Sequence, residues 1–444
     1  MFQSKKSVKN QFQFQQKYYF FSIDFLVVQG DLTVIKFEIP LNIPDIEIIQ
    51  SEIDKCDDHV ITIKSTKKGT PCYKCGNTTT KIHGYDDPIL IRHLPILGNR
   101  VYLKISPARY QCLLCDDHPT TTESLSWYNK KSSYTKDYEN HILLQVINST
   151  IQDVSIKEDI QYQSVVGIVD RRIQSKVDWT KYESIDELGL DEISLRKGHK
   201  DFVVIVTARN DGKNTILGVL KDRKKETVKE FLQTIPKELV DTIKCACCDM
   251  YDGFINAVKE TLGNKVKVVV DRFHVAKHYR NCIEKLRKQE LRRLKKSLAE
   301  DEYKKLKGAM WALRKSNLTE KEQVILKLLF EYSPQLKIIY DLQNELTQIF
   351  DSKISREDAV EKIKDWIKCI RENNVKDFDA FLITLENSWE EILNYFENRS
   401  NSGFVEGLNN KIKVLKRRCY GIFNLKHLFQ RMYLDFSGYE EVFE

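Results

Sequence analysis

Leu188-Gly189-Leu190-Asp191-Glu192-Ile193-Ser194-Leu195 reads as a strand, and Phe202-Val203-Val204-Ile205-Val206-Thr207-Ala208 as a second. After Asn210-Asp211-Gly212-Lys213, the run Thr215-Ile216-Leu217-Gly218-Val219-Leu220 reads as a third. Asn-Asp-Gly residues accept the positive φ of a tight hairpin turn, so the first three strands form a meander. The pattern then changes. Glu226–Thr234 has helical period, Thr242–Cys248 is strand-like, Tyr251–Leu262 is an amphipathic helix, and Val266–Val270 is a fifth strand. Strands joined through helices must run parallel, so the order βββαβαβ predicts a mixed sheet with helices packed on it.

This order gives meaning to two carboxylates. Asp191 lies inside the first strand, and Asp249 follows the fourth. Sites in α/β sheets gather at the carboxyl ends of strands, so neighbouring first and fourth strands would share one crevice there. A lone Asp at a strand end is ordinarily structural. Its position along this particular unit is what raises interest. A third carboxylate, Glu406, stands in Ser400-Asn-Ser-Gly-Phe-Val-Glu-Gly-Leu-Asn-Asn-Lys-Ile-Lys413. Ser400, Asn401 or Ser402 can cap a helix there. Leu408, Ile412 and Leu415 form its apolar stripe, and Glu406, Asn410, Lys413 and Arg417 a polar face. Three convergent carboxylates suit magnesium or manganese, which prefer hard oxygen ligands and leave room for water and phosphate. Two such ions about 3.5–4 Å apart stabilise both the attacking and the leaving oxygen of a phosphodiester displacement.

Outward from this core, 276–399 has few glycines or prolines and reads as a mostly helical insertion. Between Val275 and Lys296 nine Lys or Arg face two Glu, a local net of +7. Five further basic residues fall within Lys411–Arg418. Clustered charge of this kind suits DNA phosphates, although any single lysine is ordinarily a solvated one. The whole chain of 444 residues carries only +7, with 71 Lys and Arg against 64 Asp and Glu. Trp311, Trp366 and Trp389 read as helical core and not as base-stacking platforms.

Toward the N-terminus, 51–120 alternates in short runs such as Ile61-Thr-Ile-Lys, Val101-Tyr-Leu-Lys-Ile and Arg109-Tyr-Gln-Cys. Cys72-Tyr-Lys-Cys75 and Cys112-Leu-Leu-Cys115 bracket this region as C-x2-C-x36-C-x2-C. Four thiolates on two knuckles suit one closed structural zinc ion. His83, His93 and His118 are less suited, because four thiolates already complete the shell. Cys245, Cys247 and Cys248 read as core thiols. The span 121–180 is helical. A short helix from Ser155 to Ile160, a turn at Gln161 and a second helix capped by Ser164 give a helix-turn-helix shape. Arg171 and Arg172 are exposed on its second, DNA-reading helix. Residues 1–50 carry no usable motif. The apolar stretch Tyr18–Val28 is short and broken by Asp24, so neither a membrane span nor a signal peptide is expected. A cytoplasmic protein working on DNA is expected.

Gly189-Leu-Asp-Glu-Ile-Ser, Cys248-Asp-Met-Tyr-Asp-Gly-Phe, Val269-Val-Asp-Arg-Phe-His-Val, Val405-Glu-Gly-Leu-Asn-Asn-Lys-Ile-Lys and Lys416-Arg-Arg-Cys-Tyr-Gly-Ile-Phe-Asn together resemble the DDE transposases of bacterial insertion sequences, ISL-three type. The resemblance covers roughly 55–435. It implies a multidomain α/β protein. A ribonuclease H-like catalytic core (185–275 and 400–436) is interrupted by the helical insertion and preceded by a zinc ribbon and the helix-turn-helix region. It implies metal-dependent strand cleavage and strand transfer, with Asp191 and Glu406 as first and last catalytic carboxylates. The middle position has two candidates. Asp271 lies in the conspicuous Asp271-Arg-Phe-His274 motif, whereas the topology favours Asp249, after the fourth strand. His274 would orient substrate or be a hydrogen-bonded structural histidine. Implied cofactors are two magnesium or manganese ions and one structural zinc. Implied partners are double-stranded DNA, contacted through Arg171, Arg172, Lys413 and Arg417, and a second copy of the chain, because two DNA ends must meet. Two other readings share these features: a non-catalytic DNA-binding regulator on a decayed scaffold, and a nuclease without strand transfer.

Overall fold

A computed structural model describes residues 20–25, 35–196, 200–315, 317–399 and 403–443, and these fall into two compact units, Met1–Gln145 and Val146–Glu444. Residues 197–199, between the first two strands, and the predicted caps at 400–402 lie outside the described residues. The helical span 121–180 is shared between the units, since helix Lys136–Val146 ends at their boundary.

In the first unit a four-stranded sheet runs in the order Ile46–Ile53, His59–Ser65, Asn99–Ile105, Ile89–Ile96. The alternation read from Ile61-Thr-Ile-Lys is realised there: Ile61 and Ile63 are buried beside Val101, Leu103 and Ile105. A second sheet of Lys81–Tyr85, Ala108–Gln111 and Thr120–Thr122, with the small hairpin of Thr70–Pro71 and Thr78–Thr79, carries the two cysteine pairs.

The second unit is built on five strands: β1 (Glu187–Arg196), β2 (Lys200–Asn210), β3 (Lys213–Leu220), β4 (Cys245–Cys248) and β5 (Lys267–Val270). Their order across the sheet is β3-β2-β1-β4-β5. β1, β2 and β3 pair antiparallel, while β4 lies parallel to β1 and β5 parallel to β4. Asp211 and Gly212 take φ of 47° and 79°, the left-handed pair that the β2–β3 hairpin requires.

Among the described helices of this unit are α1 (Ile151–Lys157), α2 (Tyr162–Arg172), α3 (Lys225–Leu232), α4 (Asp252–Leu262), α5 (Arg272–Ser297), α6 (Gly403–Arg418) and α7 (Leu425–Phe443). The two faces of the sheet bury different helices. Leu188, Leu190, Val204 and Val206 pack on Val228 and Leu232 of α3 and Phe254 and Val258 of α4. On the other face Ile193, Val203, Ile205 and Ile216 pack on Leu408, Ile412 and Leu415 of α6 and on Leu428, Phe429 and Met432 of α7. Each large apolar side chain so buried contributes about 1.5–3 kcal/mol, enough for three of them to fix the rotation of α6. Odd-numbered residues of β1 face α6, and Asp191 is one of them.

The first helix of the helix–turn–helix shape begins earlier than the sequence suggests. Thr150 caps α1, its hydroxyl accepting the Asp153 N–H at 2.9 Å. Ser164 is not a cap; it lies inside α2, which starts after Gln161. Arg171 is exposed, but Arg172 is half-buried. Within the helical region Trp366 is fully buried and donates its indole N–H to the Leu342 carbonyl at 2.8 Å, and Trp389 is half-buried. Trp311 is not core, being 65% exposed. Its one-turn helix, Ala309–Ala312, follows Gly308 at φ 100° and turns Ala309 and Ala312 inward instead.

Among the described residues no helix is long and apolar enough to cross a membrane.

Candidate catalytic and zinc centres

Register places the carboxylates. In the parallel β1–β4 pair Glu187 lies opposite Cys245 and Gly189 opposite Cys247. Two residues further, the same register brings Asp191 level with Asp249. In the β4–β5 pair Cys247 lies opposite Val269, which brings Asp271 level with Asp249 in turn. The Asp271 N–H continues that ladder to the Cys248 carbonyl at 2.9 Å. Three aspartates therefore stand level across the sheet: Asp191 midway along β1, and Asp249 and Asp271 just past the carboxyl ends of β4 and β5.

Their surroundings differ. Burial raises the Asp191 carboxyl above its ordinary value; the Glu192 N–H, His274 and Asn409 oppose that rise, and Asp249 adds to it. Burial likewise raises Asp249, opposed by His274, the Tyr251 N–H and Arg223, and reinforced by Glu192. Asp191 Oδ1 accepts the Glu192 N–H at 2.7 Å, and Asp249 Oδ1 the Tyr251 N–H at 3.0 Å. Asp191 and Asp249 are thus two desolvated carboxylates, and the charge of Asp249 helps to raise Asp191. Asp271 is buried too, but it works as the N-cap of α5, accepting the Phe273 N–H at 3.0 Å. His274, one turn into that helix, has Nε2 3.9 Å from Asp271 Oδ2.

α6 supplies the third wall. Asn409 is buried, and its side-chain amide donates to Asp191 Oδ2. Glu406 is within α6, but its side chain lies outside the described residues. Asn409 was absent from the sequence reading, which put Asn410 on the polar face; Asn410 is exposed. The available signal was an amide between Leu408 and Ile412, within the apolar stripe. Arg223 and Glu192 also escaped notice. Arg223 Nη1 donates to Glu192 Oε2 at 3.2 Å and its guanidinium lies 4.9 Å from the Tyr251 ring centre.

The basic run Lys411–Arg418 divides. Lys411 donates to the Asp435 carbonyl at 2.7 Å, Lys416 to the Ser194 carbonyl, and Arg418 pairs with the buried Asp435 carboxylate. Lys413 and Arg417 are exposed. Three of the five charges expected at DNA thus hold α6 against β1 and α7.

The four cysteines converge. Cys72, Cys75, Cys112 and Cys115 bring their sulfurs within 4.8 Å of one another, and the group includes no histidine. Sulfurs on a tetrahedral zinc ion stand about 3.8 Å apart. The Cys75–Cys112 and Cys112–Cys115 pairs are both 3.7 Å apart. The first knuckle closes through Gly76, at φ 76°, whose N–H reaches the Cys72 carbonyl at 2.9 Å. The backbone N–H groups of Cys75 and Lys74 lower the Cys72 thiol to about 7. Desolvation and the neighbouring thiols push Cys115 up to about 12, the mutual repulsion that a central cation relieves. His118 instead sets Nδ1 3.1 Å from the Cys112 carbonyl, and His93 Nδ1 lies 3.0 Å from the Thr135 hydroxyl. Cys245, Cys247 and Cys248 are buried core thiols.

A mixed sheet carrying acidic residues in one unit and a four-cysteine ribbon in the other define a class of protein that its relatives identify. The chain belongs to the transposase family of the ISL-three type: the family model described as "Transposase" matches residues 188–432, and "zinc-finger of transposase IS204/IS1001/IS1096/IS1165" matches 68–115. It is 26% identical over 384 residues to the "Transposase for insertion sequence element IS1001" of Bordetella parapertussis, across 85% of this chain and 91% of that protein. It is 21% identical over 423 residues to the "Transposase for insertion sequence element IS1557" of Mycobacterium tuberculosis, across 89% and 93%.

Proposed function

We propose that this chain binds the ends of an insertion sequence, cleaves them and joins them to target DNA, using a ribonuclease H-like core. The carrying observation is the parallel β1–β4 register, which continued by two residues sets Asp191 level with Asp249, with Asn409 of α6 bonded to Asp191. Asp191, Asp249 and Glu406 form the acidic triad. Position 406 is three residues before Asn409, on the neighbouring side of the same helix. Divalent cations held there, two magnesium or manganese ions, would supply charge stabilisation for the attacking and leaving oxygens of a phosphodiester displacement.

The protein's own groups prepare that step. Asn409 and the Glu192 N–H fix the rotamer of Asp191, as supporting groups around metal ligands do. His274 offsets the negative charge of both aspartates and positions the site. Asp271 starts α5 and leaves the ligand role to Asp249. Exposed Lys413 and Arg417 meet phosphates beside α6. Water opens the phosphodiester, and the freed 3′-hydroxyl then attacks target DNA, without a covalent protein intermediate. The zinc ribbon and the α1–α2 pair hold the element end, with Arg171 and Arg172 on α2 at the DNA. Two ends call for two protomers.

Full-length protein incubated with magnesium, a labelled element end and a target plasmid tests this reading. Joined product is expected. Cutting alone defines a nuclease, and binding alone a regulator.

A further inference from the structure

α5 begins at the aspartate row and carries one stripe away from it: Phe273, Lys277, Arg280, Glu284 and Arg287, at spacings of four, three, four and three. That stripe forms one wall of a cavity of about 330 Å³, closed on the other side by Leu313, Arg314 and Gln343. Phe273 opens onto it 49% exposed, although its backbone N–H is tied to Asp271 and its ring lies edge-on to His274, 5.7 Å away. An aromatic ring left half in solvent forgoes part of the burial that an apolar side chain ordinarily gains. Lys277 and Arg280 are exposed along the same wall. Farther along, Arg314 pairs with Glu284 and lies 5.7 Å from the ring centre of the exposed Trp311. Glu284 is shared by Arg287 and Arg314, so the cavity floor is held by internal pairs while Lys277 and Arg280 keep their charge for a ligand.

An exposed ring next to cations in a concave site fits an unpaired nucleotide better than a duplex, whose bases are stacked away and whose width exceeds the cavity. We propose that this groove takes an unpaired nucleotide at the DNA end beside the scissile phosphate, its base stacked on Phe273 and its phosphate on Lys277 and Arg280. The proposal rests on the reading of the chain as a DNA-end transposase and adds a subsite to it. Opening the end would free the scissile bond from the helical stack and set its register against the aspartates.

The test is equilibrium binding of the full-length protein, without divalent metal, to two probes: a blunt duplex, and the same duplex with a single-stranded oligothymidine tail. The wild type is expected to prefer the tailed probe. Phe273→Ala should reduce that preference roughly 5- to 100-fold, the range for loss of one base–aromatic stack, while leaving blunt-duplex affinity unchanged. Phe273→Trp should restore it. Lys277→Gln with Arg280→Gln should lower the salt slope on the tailed probe by about 1–2. Equal affinity of the wild type for both probes, or an equal loss on both in Phe273→Ala, overturns the proposal. Since no cleavage is read, a tail preference in a protein that never joins DNA would sink the transposase reading and leave the subsite standing.

Discussion

Asn409 reaches from α6 across to β1 and donates its side-chain amide to Asp191 Oδ2. That bond is the one described side-chain link from the helix carrying Glu406 to the aspartate row. It orients a carboxylate whose other oxygen is already held by the Glu192 N–H. Asn409→Ala should therefore leave the fold intact, because Leu408, Ile412 and Leu415 still seat α6. It should lower magnesium-dependent cleavage about 10- to 100-fold, the usual effect of losing a group that supports a metal ligand. Cleavage rate against magnesium concentration is the measurement. An unchanged curve would remove Asn409 from the site.

The same crevice carries a stability cost. Asp191 and Asp249 are both raised above the ordinary carboxylate value of 3.8, chiefly by burial. The folded state therefore holds its protons more tightly than the unfolded state. Stability conferred by the protonated form is present below pH 3.8 and is lost as pH rises through the folded values. At neutral pH both charges destabilise the metal-free protein. Asp191→Asn or Asp249→Asn should raise its Tm at pH 7, by about 2–4 °C for each 1 kcal/mol relieved. The gain should shrink toward pH 4, and magnesium should stabilise only the wild type. A variant that melts lower than wild type in chelator at pH 7 would contradict this account.

Much of this was legible from local pattern. Strand alternation, the Asn-Asp-Gly turn and the helix between fourth and fifth strands gave all five strands of the mixed sheet, because each signal is local. The cysteine spacing likewise led to the four-sulfur cluster. What was not legible depends on helix phase and on distant partners. Asn410 was read on the polar face with Glu406, Lys413 and Arg417, and Asn409 drew no notice, but the apolar seat turns Asn409 toward Asp191. Lys411, Lys416 and Arg418 looked free because their acceptors, the Asp435 carbonyl, the Ser194 carbonyl and the Asp435 carboxylate, lie elsewhere in the chain. Trp311 looked like core because composition cannot reveal a one-turn helix after a left-handed glycine.

The sulfur geometry predicts one tightly held zinc ion per chain. Elemental analysis of protein purified without added metal should show it, and Cys75→Ser should lose it. Because the knuckles supply much of the order of the small sheets around them, metal loss should melt that part of the first unit. Affinity should fall throughout acidification, because zinc must displace a proton from each protonated thiol, Cys115 first among them, and should fall more steeply below about 7, where Cys72 also takes one up. A Cys75→Ser protein that keeps stoichiometric zinc would rule out the four-thiolate site.

Asp249 and Asp271 can be separated because they do different structural work. Asp271 caps α5 through the Phe273 N–H, a task that asparagine performs equally well. Asp271→Asn should keep both the helix and most of the cleavage activity, whereas Asp271→Ala should cost about 0.5–2 kcal/mol of stability. Asp249 makes no cap for α5 and faces Asp191, so Asp249→Asn should keep the fold and abolish cleavage. The contrast between the two asparagine variants, read as metal-dependent cleavage at equal folded fraction, decides the middle carboxylate. If Asp271→Asn is dead and Asp249→Asn still cuts, the triad runs through β5, and the cap role of Asp271 is secondary to a ligand role.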